Sequence, residues 1–186
     1  MALTPTTCIP LGFQAPSFTL PEARTGEVLN SGNLMQHGPS VVVFMCNHCP
    51  FVVHLMDSLV DFAAEYQARG LNFIAISSND VVNYPQDGFD QMRDLAAEKC
   101  FTFPYLYDES QAVARAYDAA CTPDFSVFDD DGKCVYRGQY DGSRPGNDVP
   151  VTGEDLRKVC DALLAGEVVP AEGQVPSIGC NVKWKA

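Results

Sequence analysis

Val41-Val42-Val43-Phe44-Met45-Cys46-Asn47-His48-Cys49-Pro50 decides the fold, because an unbroken apolar run leads straight into a C-x-x-C pair. Val41 to Met45 is short and rich in β-branched side chains, which predicts a strand covered on both faces. Beyond the pair, Phe51, Leu55, Leu59, Phe62 and Tyr66 recur at helical spacing as far as Gly70. That spacing predicts an amphipathic helix from about 47 to 69, ended by a glycine cap. Cys46 is therefore expected at a helix N-terminus, where unpaired N–H groups and the helix dipole favour a thiolate and lower a thiol pKa of about 8.5. Two cysteines one turn apart close into a disulfide with a small movement, so the pair can take up or release two electrons. A cationic His48 beside the Cys46 thiolate would stabilise the reduced form and make the disulfide more oxidising.

Outward from this stretch, Ser17-Phe18-Thr19-Leu20 and Glu27-Val28-Leu29 flank a turn at Thr25-Gly26 and read as a hairpin in an N-terminal extension, residues 1–40. After the pair come a strand Leu71 to Ser77, a helix around 88–99 and a strand Pro104 to Tyr107, a β-α alternation that predicts a largely parallel sheet. A short helix is expected from an N-cap at Ser110. Phe125 to Phe128 and Cys134 to Arg137 read as an antiparallel hairpin turning at Asp131-Gly132. A last helix runs from Gly153 to Leu164, and the tail, residues 167–186, is expected to lie extended over the surface. Thr122-Pro123 opens the strand at 125–128, and a cis proline there would hold a backbone edge open beside the pair.

At 186 residues, with no glycine- or serine-rich linker, the chain reads as a single domain, residues 1–186. A net charge of −12 without any basic run argues against nucleic acid or an anionic membrane as partner. The first residues have no basic segment leading into an apolar one, so a cytoplasmic location is expected. No stretch is apolar enough to span a bilayer. Eight unevenly spaced cysteines do not make a disulfide scaffold. A structural zinc site needs four ligands, usually as two C-x-x-C pairs, and a second pair is missing. His48 and His54 alone do not complete one.

Taken in order, these features resemble the thioredoxin superfamily, and within it the peroxiredoxin-like (AhpC/TSA redoxin) branch that carries a thioredoxin-type pair. Ala15-Pro16-Ser17-Phe18-Thr19-Leu20 is similar to the redoxin opening AP-x-F-x-L. Asp129 to Gly132 followed by Val135-Tyr136-Arg137-Gly138 is similar to the redoxin hairpin, and Phe103-Pro104 and Thr122-Pro123 fall in the expected places. The resemblance implies an α/β thioredoxin fold: a central mixed β-sheet flanked by helices, with an N-terminal hairpin extension and an extended C-terminal tail. It also implies a thiol-disulfide oxidoreductase with Cys46, Asn47, His48 and Cys49 at the catalytic loop. Cys46 would be the attacking thiol and Cys49 the resolving one, while Thr122 and Pro123 would pair their backbone with a bound peptide. Met45 replaces the tryptophan usual before the pair, and no buried acid lies on the strand from Val41 to Met45. Proton transfer from Cys49 then falls to another group or to water.

Two other functions fit the same residues. In a thiol peroxidase, Cys49-Pro50 would be the peroxidatic site, with Cys46 or Cys180 resolving; Val42 stands where that family keeps a proline, and Arg144 could stand in for its activating arginine. The segment Ser177 to Lys185 is similar to a C-terminal resolving-cysteine segment, which gives Cys180 a possible resolving role beside its plainer one as an anchor of the tail. A non-catalytic redox-sensing or metal-binding module is the third. No cofactor or resident metal is expected. Substrates would be protein or small-molecule disulfides, or peroxides, with a thioredoxin system or glutathione as electron donor.

Overall fold

The computed structural model describes residues 3–186. In chain order the elements are β1 (Leu3–Pro5), β2 (Thr19–Pro21), β3 (Val28–Asn30), α1 (Ser31–Leu34), β4 (Ser40–Phe44), α2 (Pro50–Ala68) and β5 (Asn72–Ser77). A 3-10 turn at Pro85–Asp87 leads to α3 (Phe89–Glu98), β6 (Tyr105–Tyr107), α4 (Ala112–Ala116), β7 (Cys121–Thr122), β8 (Asp124–Phe128), β9 (Cys134–Gly138), α5 (Glu154–Leu164) and β10 (Ile178–Asn181). The central sheet has the order β6-β5-β4-β8-β9, with β4, β5 and β6 parallel and β8 and β9 antiparallel to their neighbours. This is the thioredoxin-like mixed sheet flanked by helices that the sequence motifs imply.

Strand β4 lies at the centre, with Val42 opposite both Ile74 and Ser126. Its alternate residues feed two cores. Val41 and Val43 pack with Leu55, Leu59 and Phe62 of α2 and with Phe73, whereas Val42 and Phe44 pack with Phe18, Ile74, Ile76, Tyr117 and Phe128 on the other face. Burial on both faces is why the strand reads as a continuous apolar run.

Three expectations need correction. Helix α2 begins at Pro50, not near 47, so Cys49 is its N-cap and Cys46 lies in the loop before it. Proline suits the first helical position, where its missing N–H would have had no partner within the helix. Helix α4 has Gln111 and not Ser110 as its N-cap, and its first N–H groups go to side chains further back, Ala112 to Ser110 Oγ and Ala114 to Asp108. The tail is not wholly superficial: β10 pairs antiparallel with β1 on one side and β7 on the other, burying Cys180 and Val182.

Phe62 joins the layers. Its ring stacks on Tyr66 at 4.3 Å between centroids and meets Phe73 and Tyr140 edge-on at 6.1 and 5.8 Å. Phe62→Ala is expected to cost about 3–5 kcal/mol in urea unfolding, with the slope of the transition unchanged. A loss below about 1 kcal/mol would mean that the space collapses and that this contact does not hold helix to sheet.

Candidate active site

Where β4 ends, the Met45 N–H still bonds to the Ile76 carbonyl, and the chain then turns through Cys46, Asn47 and His48 into α2. A loop this tight leaves backbone N–H groups without ladder partners. Asp87, on the 3-10 turn and fully buried, supplies them: its Oδ1 accepts from the Asn47 and His48 N–H groups at 2.8 and 3.2 Å. Its Oδ2 accepts from Asn79 Nδ2 at 2.8 Å and lies 2.6 Å from His48 Nδ1. The His48 ring also stacks against Tyr84. Asn47 turns outward, donating to the Gln86 carbonyl and accepting from the Tyr105 hydroxyl at 2.9 Å.

Both thiols are buried, Cys46 at 1% and Cys49 at 0% exposure. Cys46 Sγ lies 3.9 Å from His48 Nδ1 and 3.7 Å from Thr122 Oγ1. Cys49 Sγ lies 3.1 Å from the Thr122 carbonyl. The two thiols share one buried cluster, and their closeness separates their ionisation. It raises Cys46, together with burial and the nearby Asp87 charge. It brings Cys49 down to about 5, helped by Thr122, by Cys180 and least by the Val52 N–H, against the cost of burial. Asp87 thus opposes a thiolate on Cys46, and the helix N-terminus favours one on Cys49.

Cys46, His48, Cys49, Thr122 and Cys180 thus come together, and the Thr122-Pro123 peptide bond is cis. The edge beside it is taken, however. Strand β10 pairs Cys180 with Thr122, so the backbone expected to receive a peptide already carries a strand of the same chain. Asp87, Asn79 and Tyr105 are the site residues that sequence reasoning missed, since they arrive from loops and strands with no motif spacing to mark them. Arg144 is not at the thiols: its guanidinium donates to the Asp141 and Ser143 carbonyls and to Gln139. Cys46 Sγ, His48 Nδ1 and an Asp87 oxygen lie within 4.8 Å of one another and could offer three donors to a metal ion. The 2.6 Å between nitrogen and oxygen is a hydrogen-bond spacing, and it would have to open to about 3.3 Å for both to bind one zinc ion.

The Redoxin family profile matches residues 10–156. No curated protein matches the chain. Among solved structures, an uncharacterized conserved protein from Geobacillus kaustophilus is 52% identical, with a TM-score of 0.97 over 100% of this chain and 97% of that one. The peroxidoxin BcpB from Mycobacterium tuberculosis shares the fold at 18% identity, TM-score 0.61, over 84% of this chain and 96% of its own. So does a secreted disulfide oxidoreductase of Mycobacterium tuberculosis, at 20% identity and TM-score 0.59 over 78% and 96%.

Ionisation of Cys49 has a direct signature. Thiolate ultraviolet absorbance of the reduced protein is expected to rise with pH through a transition near 5, and the transition should be missing from Cys49→Ser. The folded value lies below the unfolded one of about 8.5, so the stability that this thiolate contributes is complete above about 8.5 and lost as pH falls through about 5. A single rise near 8.5 would place no thiolate on the pair at neutral pH.

Proposed function

The chain belongs to the redoxin family, and from that premise we propose that it is a thiol-disulfide oxidoreductase working through the Cys46–Cys49 pair. One observation carries the reading: two buried thiols share one cluster at a helix N-terminus, Cys49 as the N-cap of α2 and Cys46 beside His48. The Cys49 thiolate attacks a substrate disulfide, and the bond that breaks sends its electron pair out on the first leaving thiolate. The first leaving thiolate takes up the Cys46 proton, because His48 Nδ1, the nitrogen that faces Cys46, already donates its own proton to the Asp87 carboxylate. The Cys46 thiolate then attacks Cys49 Sγ, releases the second substrate thiolate and closes the Cys46–Cys49 disulfide. Two electrons pass from the pair to the substrate. The reading takes a small-molecule or protein disulfide as substrate, with a thioredoxin system or glutathione in the cytoplasm to restore the dithiol.

A peroxide substrate is the second reading, favoured by the ionised Cys49 and the Pro50 that follows it. It lacks support from charge. The two arginines nearest in motif are both committed elsewhere, Arg144 to its own loop and Arg137 to the carbonyls of Thr7, Tyr117 and Asp118. A peroxide site gains its speed from donors aimed at the breaking O–O bond.

Under disulfide exchange, Cys49→Ser should lose at least about a hundredfold in turnover with oxidised glutathione, because no other thiolate is held ready. Hydrogen peroxide should oxidise the folded reduced protein no more than about thirtyfold faster than the unfolded chain, the gain that the larger thiolate fraction alone allows at neutral pH. Oxidation orders of magnitude faster in the folded state would overturn disulfide exchange in favour of peroxide reduction.

A further inference from the structure

Strand β10 lies on the cis-proline edge in the way a bound substrate strand would. Cys180 pairs with Thr122 and Asn181 with Cys121, and the Val182 N–H continues the contact to the Ala120 carbonyl. Gly179 permits the approach: a Cβ there would fall 2.0 Å from the Thr122 carbonyl oxygen, inside any contact distance, so every other residue would push the strand away. Anchors lie on both sides. Ser177 donates to the Gly138 carbonyl, and its own carbonyl accepts the Thr6 N–H. The Lys183 N–H bonds to Asn79 Oδ1, and the Lys183 carbonyl accepts from Gln111 Nε2. Asn79 also donates to Asp87, so one side chain ties the tail to the loop that carries the pair. At the centre of this contact Cys180 packs in the same buried cluster as Cys46 and Cys49, and Cys49 Sγ lies 3.1 Å from the carbonyl of Thr122, the residue that Cys180 pairs with.

We propose that Cys180 is an internal substrate of the pair, exchanging with the Cys46–Cys49 disulfide to form a Cys49–Cys180 disulfide that pins the tail over the cis-proline edge. The inference rests on the redox reading of the pair given above. Deprotonated Cys180 attacks Cys49 Sγ; the Cys49–Cys180 bond forms, the Cys46–Cys49 bond breaks, and its electron pair leaves on Cys46 Sγ. The proton lost from Cys180 ends on Cys46, with His48 beside it at 3.9 Å. No electrons are gained or lost, so no further oxidant is required.

In the reduced protein, burial and the neighbouring Cys49 thiolate hold Cys180 up at about 12. Oxidation of Cys49 removes the thiolate, and with it the second and third causes of that rise. Exchange is thereby favoured in the oxidised state alone. Once made, the new bond returns Cys46 to the thiol form while closing the edge that an extended polypeptide would need. The oxidised protein would then be reduced by small thiols in preference to polypeptide thiols.

Wild type, Cys46→Ser, Cys180→Ser and Gly179→Ala are oxidised with glutathione disulfide, alkylated without reductant and mapped by mass spectrometry of disulfide-linked peptides. The proposal expects both Cys46–Cys49 and Cys49–Cys180 links in wild type, Cys49–Cys180 in Cys46→Ser, and Cys46–Cys49 alone in Cys180→Ser. In Gly179→Ala the Cys49–Cys180 yield should fall at least about tenfold, because sulfurs held apart cannot close, while a cooperative urea transition reports that the domain is folded. Glutathione adducts on Cys46→Ser with no Cys49–Cys180 link, where wild type forms Cys46–Cys49, would overturn the internal exchange and leave the function standing. Absence of both links from oxidised wild type would sink both.

Discussion

The buried carboxylate of Asp87 is the interaction on which the rest of the site depends. A central strand that feeds a helix through three residues leaves backbone donors facing the protein interior, and an unsatisfied buried donor costs about 1–3 kcal/mol. Asp87 accepts two of them and fixes the His48 ring, and Asn79 in turn holds Asp87. Its negative charge then has a chemical consequence. It discourages a second anion on Cys46 and leaves the thiolate to Cys49, where the helix N-terminus receives it.

From this follows the division of labour among three sulfurs. Cys49 is the hub, at the helix N-cap and in one buried cluster with Cys46 and Cys180. Cys46 sits beside the His48–Asp87 pair. Other buried cysteines share neither setting: burial raises the pKa of Cys121, Cys134 and Cys160, and no second thiol is their chief partner. Ionisation and proximity, more than the number of thiols, mark which cysteines can react.

The central strand, the following helix and both hairpins were legible because local patterns carried them. Val41 to Phe44 is buried on both faces and is apolar throughout, and the Phe51 to Tyr66 spacing is that of a helix face. The start of α2 was misjudged by three residues because apolar periodicity says nothing about caps, whereas Pro50 at the first helical position did carry the signal. Asp87 was illegible: its role comes from a turn brought forty residues back through space, and one aspartate in a polar loop carries no mark of it. Strand β10 was hidden for a similar reason. Ile178-Gly179-Cys180-Asn181 has no alternation of its own and is a strand only because β1 and β7 lie on either side. Glycine, which weakens most strands, is here what lets the tail approach Thr122.

A reduced pair with one thiolate and one thiol takes up a single proton for two electrons. Between pH 5.5 and 7.5, roughly, the reduction potential of the Cys46–Cys49 disulfide in Cys180→Ser, equilibrated against glutathione, should therefore fall by about 30 mV per pH unit. A slope of about 59 mV per pH unit would mean two protons taken up and no thiolate in the folded dithiol, contradicting the charge arrangement on which the account rests.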